Sequence, residues 1–271
     1  MSFQYKNVLV TGATSGLGLA LAEKMIEVGC FVIAVARRED RLKALAEKHG
    51  ADKVAAEPFD MTNLDGMPAW VEKMTKTYPK LDSIVLNAGI QRSIKFTQPS
   101  SISLPLVNQE IITNYTSPLT MSILFLPHLQ SLSPAPASII LVSSGLAFVP
   151  MPRCASYCAT KAAIHSLAWT MRYQLSADEG SKHVKVVEII PPAVKTELHT
   201  QQEDLSAKGI GQIGISIEEF MEDAWTGLTE GKEEIPVGKF VKDRAENEAE
   251  RGRKKIMLGM IETLKAQGMD P

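Results

Sequence analysis

The chain has 271 residues, 45% of them hydrophobic, and a formal net charge of −2. That length suits one α/β domain with a sizeable core, and the near-neutral balance offers no field to recruit nucleic acid or an anionic membrane. No apolar run approaches the roughly 18 residues of a membrane span. The odd count of three cysteines (Cys30, Cys154 and Cys158) and the lack of room for a signal peptide before residue 7 point to a reducing, cytoplasmic location.

In chain order, the first strand-like run covers 7–11 and leads into Thr11-Gly12-Ala13-Thr14-Ser15-Gly16-Leu17-Gly18, with a helix over 17–28. Strand, glycine turn and helix start form the context in which a dinucleotide can be held. Gly12 allows the tight turn. Gly16 and Gly18 let the backbone approach a pyrophosphate, and Thr14, Ser15 and Leu17 complete the binding turn. The next strand, 30–36, ends in Val35-Ala36-Arg37-Arg38. An acid at the position of Ala36 would bind a ribose 2′-hydroxyl. A guanidinium suits a 2′-phosphate instead, so NADPH/NADP is the expected cofactor, with Arg37 ranked first and Arg38 second. The alternative is that both arginines only solvate a loop.

A helix over 39–49, a strand over 53–57 and a helix over 66–77 follow. The strand over 82–87 runs into Asn87-Ala88-Gly89, which also has the composition of a plain turn. A long apolar helix is expected over 103–131, and a strand over 137–143 ends just before Ser144. On the helix expected over 155–178, Tyr157 and Lys161 are four residues apart and share a face. A neighbouring ammonium should lower the phenol pKa and suit Tyr157 to general acid work. Cys154 and Cys158 could be read as a metal pair, but no His cluster or further Cys completes a site, so no metal is expected.

A strand over 184–190 leads to Pro191-Pro192-Ala193-Val194-Lys195-Thr196. The polar stretch 196–216 suits a mobile loop. A helix over 217–229, a short strand over 235–238 and a charged helix from Val241 close the chain. Arg251-Gly252-Arg253-Lys254-Lys255 follows Glu246, Glu248 and Glu250, so this region reads as a solvated helix face. The alternation of elements predicts an α/β fold: a Rossmann-type, doubly wound parallel sheet with helices on both faces.

The glycine turn, Asn114, Ser144, Tyr157 and Lys161, in this order and spacing, resemble the classical short-chain dehydrogenase/reductase family from about Lys6 to Thr196. Asn87 to Arg92, Ser143 to Met151 and Pro191 to Val194 resemble its DltE-like subgroup. The resemblance implies that Asp60 contacts the adenine and that Asn87 and Gly89 lie beneath the cofactor. It implies that Asn114 holds a water linking Lys161 to solvent, that Ser144 bonds the substrate oxygen, and that Lys161 also holds the nicotinamide ribose. Val194 and Thr196 would meet the nicotinamide end. Pro192 replaces the family's usual glycine and stiffens that turn.

These readings imply an NADPH-dependent carbonyl reductase, reversibly an alcohol dehydrogenase, with a Ser-Tyr-Lys-Asn group. The alternative is an NADPH-binding regulatory protein without turnover, which would have no need of Tyr157 or Ser144. Phe148, Val149, Met151, Ile90, Ile94 and Leu198 should wall the approach for a neutral small-molecule carbonyl substrate. Arg92 and Arg153 either are structural or bind an anionic group on that substrate. The apolar helices over 103–131 and 155–178 suggest a homodimer or homotetramer.

Overall fold

The structure is a computed structural model that describes residues 3–200 and 213–269. Its centre is a seven-stranded sheet, parallel throughout, in the order β3-β2-β1-β4-β5-β6-β7. The strands are β1 (Asn7–Thr11), β2 (Phe31–Ala36), β3 (Val54–Pro58), β4 (Ser83–Leu86), β5 (Ala137–Val142), β6 (Val184–Ile190) and β7 (Glu234–Pro236). Runs such as Ala137-Ser138-Ile139-Ile140-Leu141-Val142 are buried along their whole length. Helices cover both faces, so no polar alternation is needed.

On one face α1 (Gly16–Glu27), α2 (Glu39–His49) and α8 (Ile217–Thr229) pack Leu21, Met25, Leu42 and Phe220 against the sheet. On the other, α3 (Met67–Thr77), α5 (Ser117–Ser131) and α6 (Ala155–Ala177) contribute Trp70, Phe125 and Ile164. The two outermost strands, β3 and β7, both finish in proline, Pro58 and Pro236.

Three expectations change. The helix over 103–131 is not continuous. It is α4 (Leu104–Ile111), a π-turn (Ile112–Thr116) and then α5. Pro118 has no N–H to offer the carbonyl of Asn114 four residues back, so the α-helical ladder breaks there. The charged C-terminal helix is also two helices, α9 (Gly238–Ala245) and α10 (Glu248–Ala266). Asn247 stops the first and caps the second, its side chain accepting from Glu250 N at 2.8 Å. The stretch 196–216 begins with a short helix, α7 (Glu197–Thr200), and 201–212 lie outside the described residues.

The strand order reverses between β1 and β4, which opens a crevice at their carboxyl ends. The Thr11 hydroxyl ties the two strands together there. It donates to Val85 O at 3.2 Å and accepts from Asn87 N at 2.9 Å and Ala88 N at 3.0 Å. Thr11→Val keeps the shape and strands those amides. Denaturant unfolding should show a loss of about 1–3 kcal/mol; an unchanged midpoint would mean the tie carries no weight.

Candidate active site

The glycine turn leaves β1 and enters α1 with Gly12 at φ 69° and Gly16 at φ 53°, in the left-handed region that glycine reaches most easily. A methyl group at Gly18 would collide with the Asn87 amide and the Gly12 carbonyl. Asn87 Nδ2 is fixed there by donating to Thr11 O at 3.1 Å. The turn is therefore a backbone-walled cradle. Because α1 starts at Gly16, its first amides lack helical partners and can face an anion. This cradle fits a dinucleotide pyrophosphate.

Beside it lies an arginine cluster. Arg38 donates to Thr14 Oγ1 at 3.1 Å, to Ser15 Oγ at 2.7 Å and to Glu197 Oε2 at 2.8 Å. Arg41 donates to Glu197 Oε1 at 2.6 Å. These two guanidinium groups hold the Glu197 carboxyl below its ordinary range. Arg37 sits further out, 59% exposed, with Nη1 4.0 Å from Asp60 Oδ2. Sequence reasoning named Arg37 and Arg38 but missed Arg41 and Glu197. The Arg38-x-x-Arg41 spacing was the available signal for Arg41; Glu197 had none.

Asn114 sits in the π-turn and is buried. Its Oδ1 accepts from Ile90 N at 2.9 Å, and its Nδ2 donates to Ile90 O at 2.8 Å and Thr160 Oγ1 at 3.2 Å. Lys161 Nζ donates to Val142 O, at the end of β5, at 2.8 Å. A Cβ placed on Gly89 would lie 3.4 Å from Asn114 Oδ1 and 3.7 Å from Lys161 Nζ. Gly89, Asn114 and Lys161 thus meet at one point. Burial lowers the Lys161 pKa to about 8, against the raising charge of Glu188.

Tyr157 is buried one turn before Lys161, whose ammonium lies 5.5 Å from the ring centroid. Its pKa is raised, contrary to the expectation of a lowered one. Burial is the largest cause; a hydrogen bond with Ser144 opposes it, while Cys154, Cys158 and Glu110 reinforce it. The charge of that ammonium does not reverse the effect of burial. Ser144 is also fixed from below, its Oγ accepting from Leu146 N at 3.1 Å.

Val194 is buried and bridges to Ile215. Thr196 lies against the glycine turn, 3.2 Å from a Cβ built on Gly16. The Pro191-Pro192 corner therefore still delivers Thr196 to the cradle. On the substrate side, Val149 and Met151 are exposed. Phe148 instead packs edge-on against His165, with ring centroids 5.0 Å apart. Arg92 is held on α4, donating from Nη2 to Gln109 Oε1 at 2.7 Å and from its amide to Glu110 Oε1 at 2.8 Å.

The basic run on α10 is not simply solvated. Arg253 donates to Glu250 at 2.9 Å and Lys254 to Glu234 at 2.6 Å, and both lie near the Trp169 ring. No helix is long and apolar enough to cross a membrane among the described residues.

Residues 6–206 match the family profile described as short chain dehydrogenase. The chain belongs to that family. It is an oxidoreductase by membership, and is 38% identical over 235 residues to the uncharacterized oxidoreductase DltE of Bacillus subtilis (strain 168), covering 87% of this chain and 89% of that protein. It is 34% identical over 210 residues to a benzil reductase, (S)-benzoin forming, of Saccharomyces cerevisiae, covering 76% and 78%. Among solved structures, a short-chain dehydrogenase from Sphingobium yanoikuyae in complex with NADPH superposes with a TM-score of 0.79 at 23% identity, covering 94% and 95%. At that identity the likeness shows the fold.

Proposed function

We propose that this oxidoreductase is an NADPH-dependent carbonyl reductase, working in reverse as an alcohol dehydrogenase. The observation that carries the reading is a protonated, buried Tyr157 hydrogen-bonded with Ser144, with Lys161 and Asn114 converging at Gly89. The glycine cradle, Asn87, Lys161, Val194 and Thr196 would hold the dinucleotide, which supplies the hydride when bound. Tyr157 Oη gives its proton to the carbonyl oxygen as negative charge develops there. Ser144 Oγ–H donates to the same oxygen and stabilises that charge. Lys161 presents its ammonium below the tyrosine, and Asn114 keeps that corner in shape through both backbone groups of Ile90. A regulatory protein that only bound the dinucleotide would have no use for this acid.

Tyr157→Phe keeps the ring and removes the proton. Turnover should fall by at least about 100-fold while dinucleotide binding, read by fluorescence or calorimetry, persists. Most of the activity surviving would show that another group is the acid.

The preference for NADPH rests on Ala36 in place of an acid and on Arg37, Arg38 and Arg41 at the mouth of the cradle. Arg38, whose side chain bonds those of both Thr14 and Ser15, is the residue to test. A charge-assisted bond to the 2′-phosphate is worth about 1.5–3 kcal/mol. Arg38→Ala should therefore raise the Kd for NADPH by about 10- to 100-fold and change that for NADH little. Equal losses for both cofactors would assign Arg38 to the pyrophosphate turn instead.

The substrate proposed is a neutral ketone with an aromatic body. Exposed Val149 and Met151, which follow Ser144 in the chain, offer apolar contact, and Arg92 is engaged by Gln109 and Glu110. Similarity to a benzil reductase supports the same class. In an NADPH-oxidation assay, benzil and related aryl ketones should give a higher kcat/KM than keto acids of similar size. The reverse order, abolished by Arg92→Ala or Arg153→Ala, would assign an anion-binding role to that arginine. Exposed Leu104, Leu106, Ile111 and Ile123 on α4 and α5 support a homo-oligomer, testable by sedimentation at micromolar concentration.

A further inference from the structure

Behind the catalytic group lies a second set of buried charges that the mechanism above does not use. His165 stands one turn beyond Lys161 on α6, so Tyr157, Lys161 and His165 form one row. The His165 side chain is 2% exposed. Nδ1 lies 2.9 Å from both oxygens of Glu188, and Nε2 lies 3.0 Å from Glu250 Oε1. Glu188 is on β6, opposite Leu141 in register, one residue before the Val142 whose carbonyl holds Lys161. Its neighbours in alternation, Val184 and Val186, pack on the face of the sheet that α6 covers. Glu250 comes from the first turn of α10 and is clamped by Arg253 at 2.9 Å.

Each ring nitrogen faces a carboxylate, so each needs a hydrogen, and the ring is an imidazolium between two anions. Burial alone would depress the His165 pKa; the bonds and charges of Glu188 and then Glu250 outweigh it and raise it. Counting outward from the active site, the charges alternate: Lys161 positive, Glu188 negative, His165 positive, Glu250 negative, Arg253 positive. Buried ions of this kind cost more than apolar side chains of the same size. Stability alone therefore gives no reason for them at this place.

We propose that Glu188, His165 and Glu250 are positioning residues: a buried chain of alternating charge that sets the proton affinity of Lys161 and ties it to α10. The proposal rests on the reductase reading for its catalytic meaning. Glu188 is the carboxylate on the sheet face beneath Lys161, and it favours the ammonium. His165 restrains Glu188, sharing its charge so that Lys161 is held charged without being locked as an ion pair. Glu250 keeps His165 protonated. Around Lys161 are Tyr157 and His165, each one turn away on α6, Asn114 of the π-turn, which meets it at Gly89, and Glu188 of β6, whose charge acts on it. Those around His165 are Glu188, Glu250 and the rings of Phe148 and Trp169. Glu234 on β7 borders the set and is itself neutralised by Arg172 at 2.9 Å and Lys254 at 2.6 Å.

This arrangement predicts opposite effects from two neighbouring substitutions. Glu188→Gln removes the anion on the sheet face beneath Lys161 and should lower its titration. His165→Gln keeps a hydrogen-bond donor, removes the cation and frees the Glu188 charge, so it should raise it. A buried unit charge about a helical turn away moves a titration by about one pKa unit. The direct readout is the pH titration of side-chain carbon signals from labelled lysine, with Lys161 assigned by their loss in Lys161→Met. The alkaline limb of kcat/KM for ketone reduction should follow: to lower pH in Glu188→Gln and to higher pH in His165→Gln. Lys161 titrating at the same pH in both variants, or moving in the same direction in both, would overturn the proposal. If Glu188→Gln does not fold, His165→Gln decides it alone, because an unchanged or lowered Lys161 titration there is equally fatal. An unmodified protein that turns over no carbonyl, while the two titrations still part, would remove the reductase reading and leave the charge chain standing.

Discussion

Parallel strands all deliver their carboxyl ends to one edge of a sheet, and here the order turns back on itself between β1 and β4. The chain leaves those two strands in opposite directions, so no crossover covers the gap. Everything in the site depends on that gap staying open. Gly12, Gly16 and Gly18 line one side of it with bare backbone. Asn87 and Gly89 line the other. The Thr11 hydroxyl holds the two sides in register with three bonds. A larger residue at Gly18 would fill the gap from below, and a looser joint at Thr11 would let it drift.

The chemistry then rests on electrostatics in a dry place. Lys161 is placed where an ammonium loses its water, and burial alone would push it towards neutrality. One backbone carbonyl and the Glu188 carboxylate on β6 resist that. Tyr157 experiences the same burial with the opposite consequence, because its neutral form is the protonated one. Two side chains one helical turn apart are thus driven by one environment towards their neutral forms, the phenol keeping its proton and the amine more ready to shed one. Buried Glu110, Cys154 and Cys158 reinforce the phenol rather than compete with it.

Much of this was legible in the sequence, and the missing parts have physical reasons. Strands buried on both faces announce themselves as short apolar runs, and glycine at a fixed spacing beyond a strand leaves few alternatives. The spacing of Tyr157 and Lys161 on one helix face was equally plain. The π-turn at Asn114 was not, because α and π ladders draw on the same side-chain pattern. Pro118 was the single local hint. Arg41 and Glu197 are 156 residues apart, and Glu250 is 85 residues from His165. Such pairs obey no local period, so only the folded chain brings them together. The break between α9 and α10 was readable after all: Asn247 three residues before Glu250 is a helix-capping signal inside a charged run. The direction of the Tyr157 shift was misjudged because sequence shows a neighbouring charge but not the depth at which it is buried.

The outer strands give the sheet a property unrelated to its chemistry. Exposed strand edges invite other strands, since a row of unpaired amides and carbonyls is a template. Here β7 has only three residues, and both it and β3 stop at a proline, which has no amide to offer. Beside Pro58, Glu57 adds a charge held by Lys73 at 3.0 Å and by the Tyr78 hydroxyl at 2.7 Å. Neither flank is suited to zippering onto a neighbour, so lateral growth into fibres is discouraged at both margins. Contact between copies is left to helical faces, whose side chains can discriminate one partner from another in a way that a bare backbone cannot.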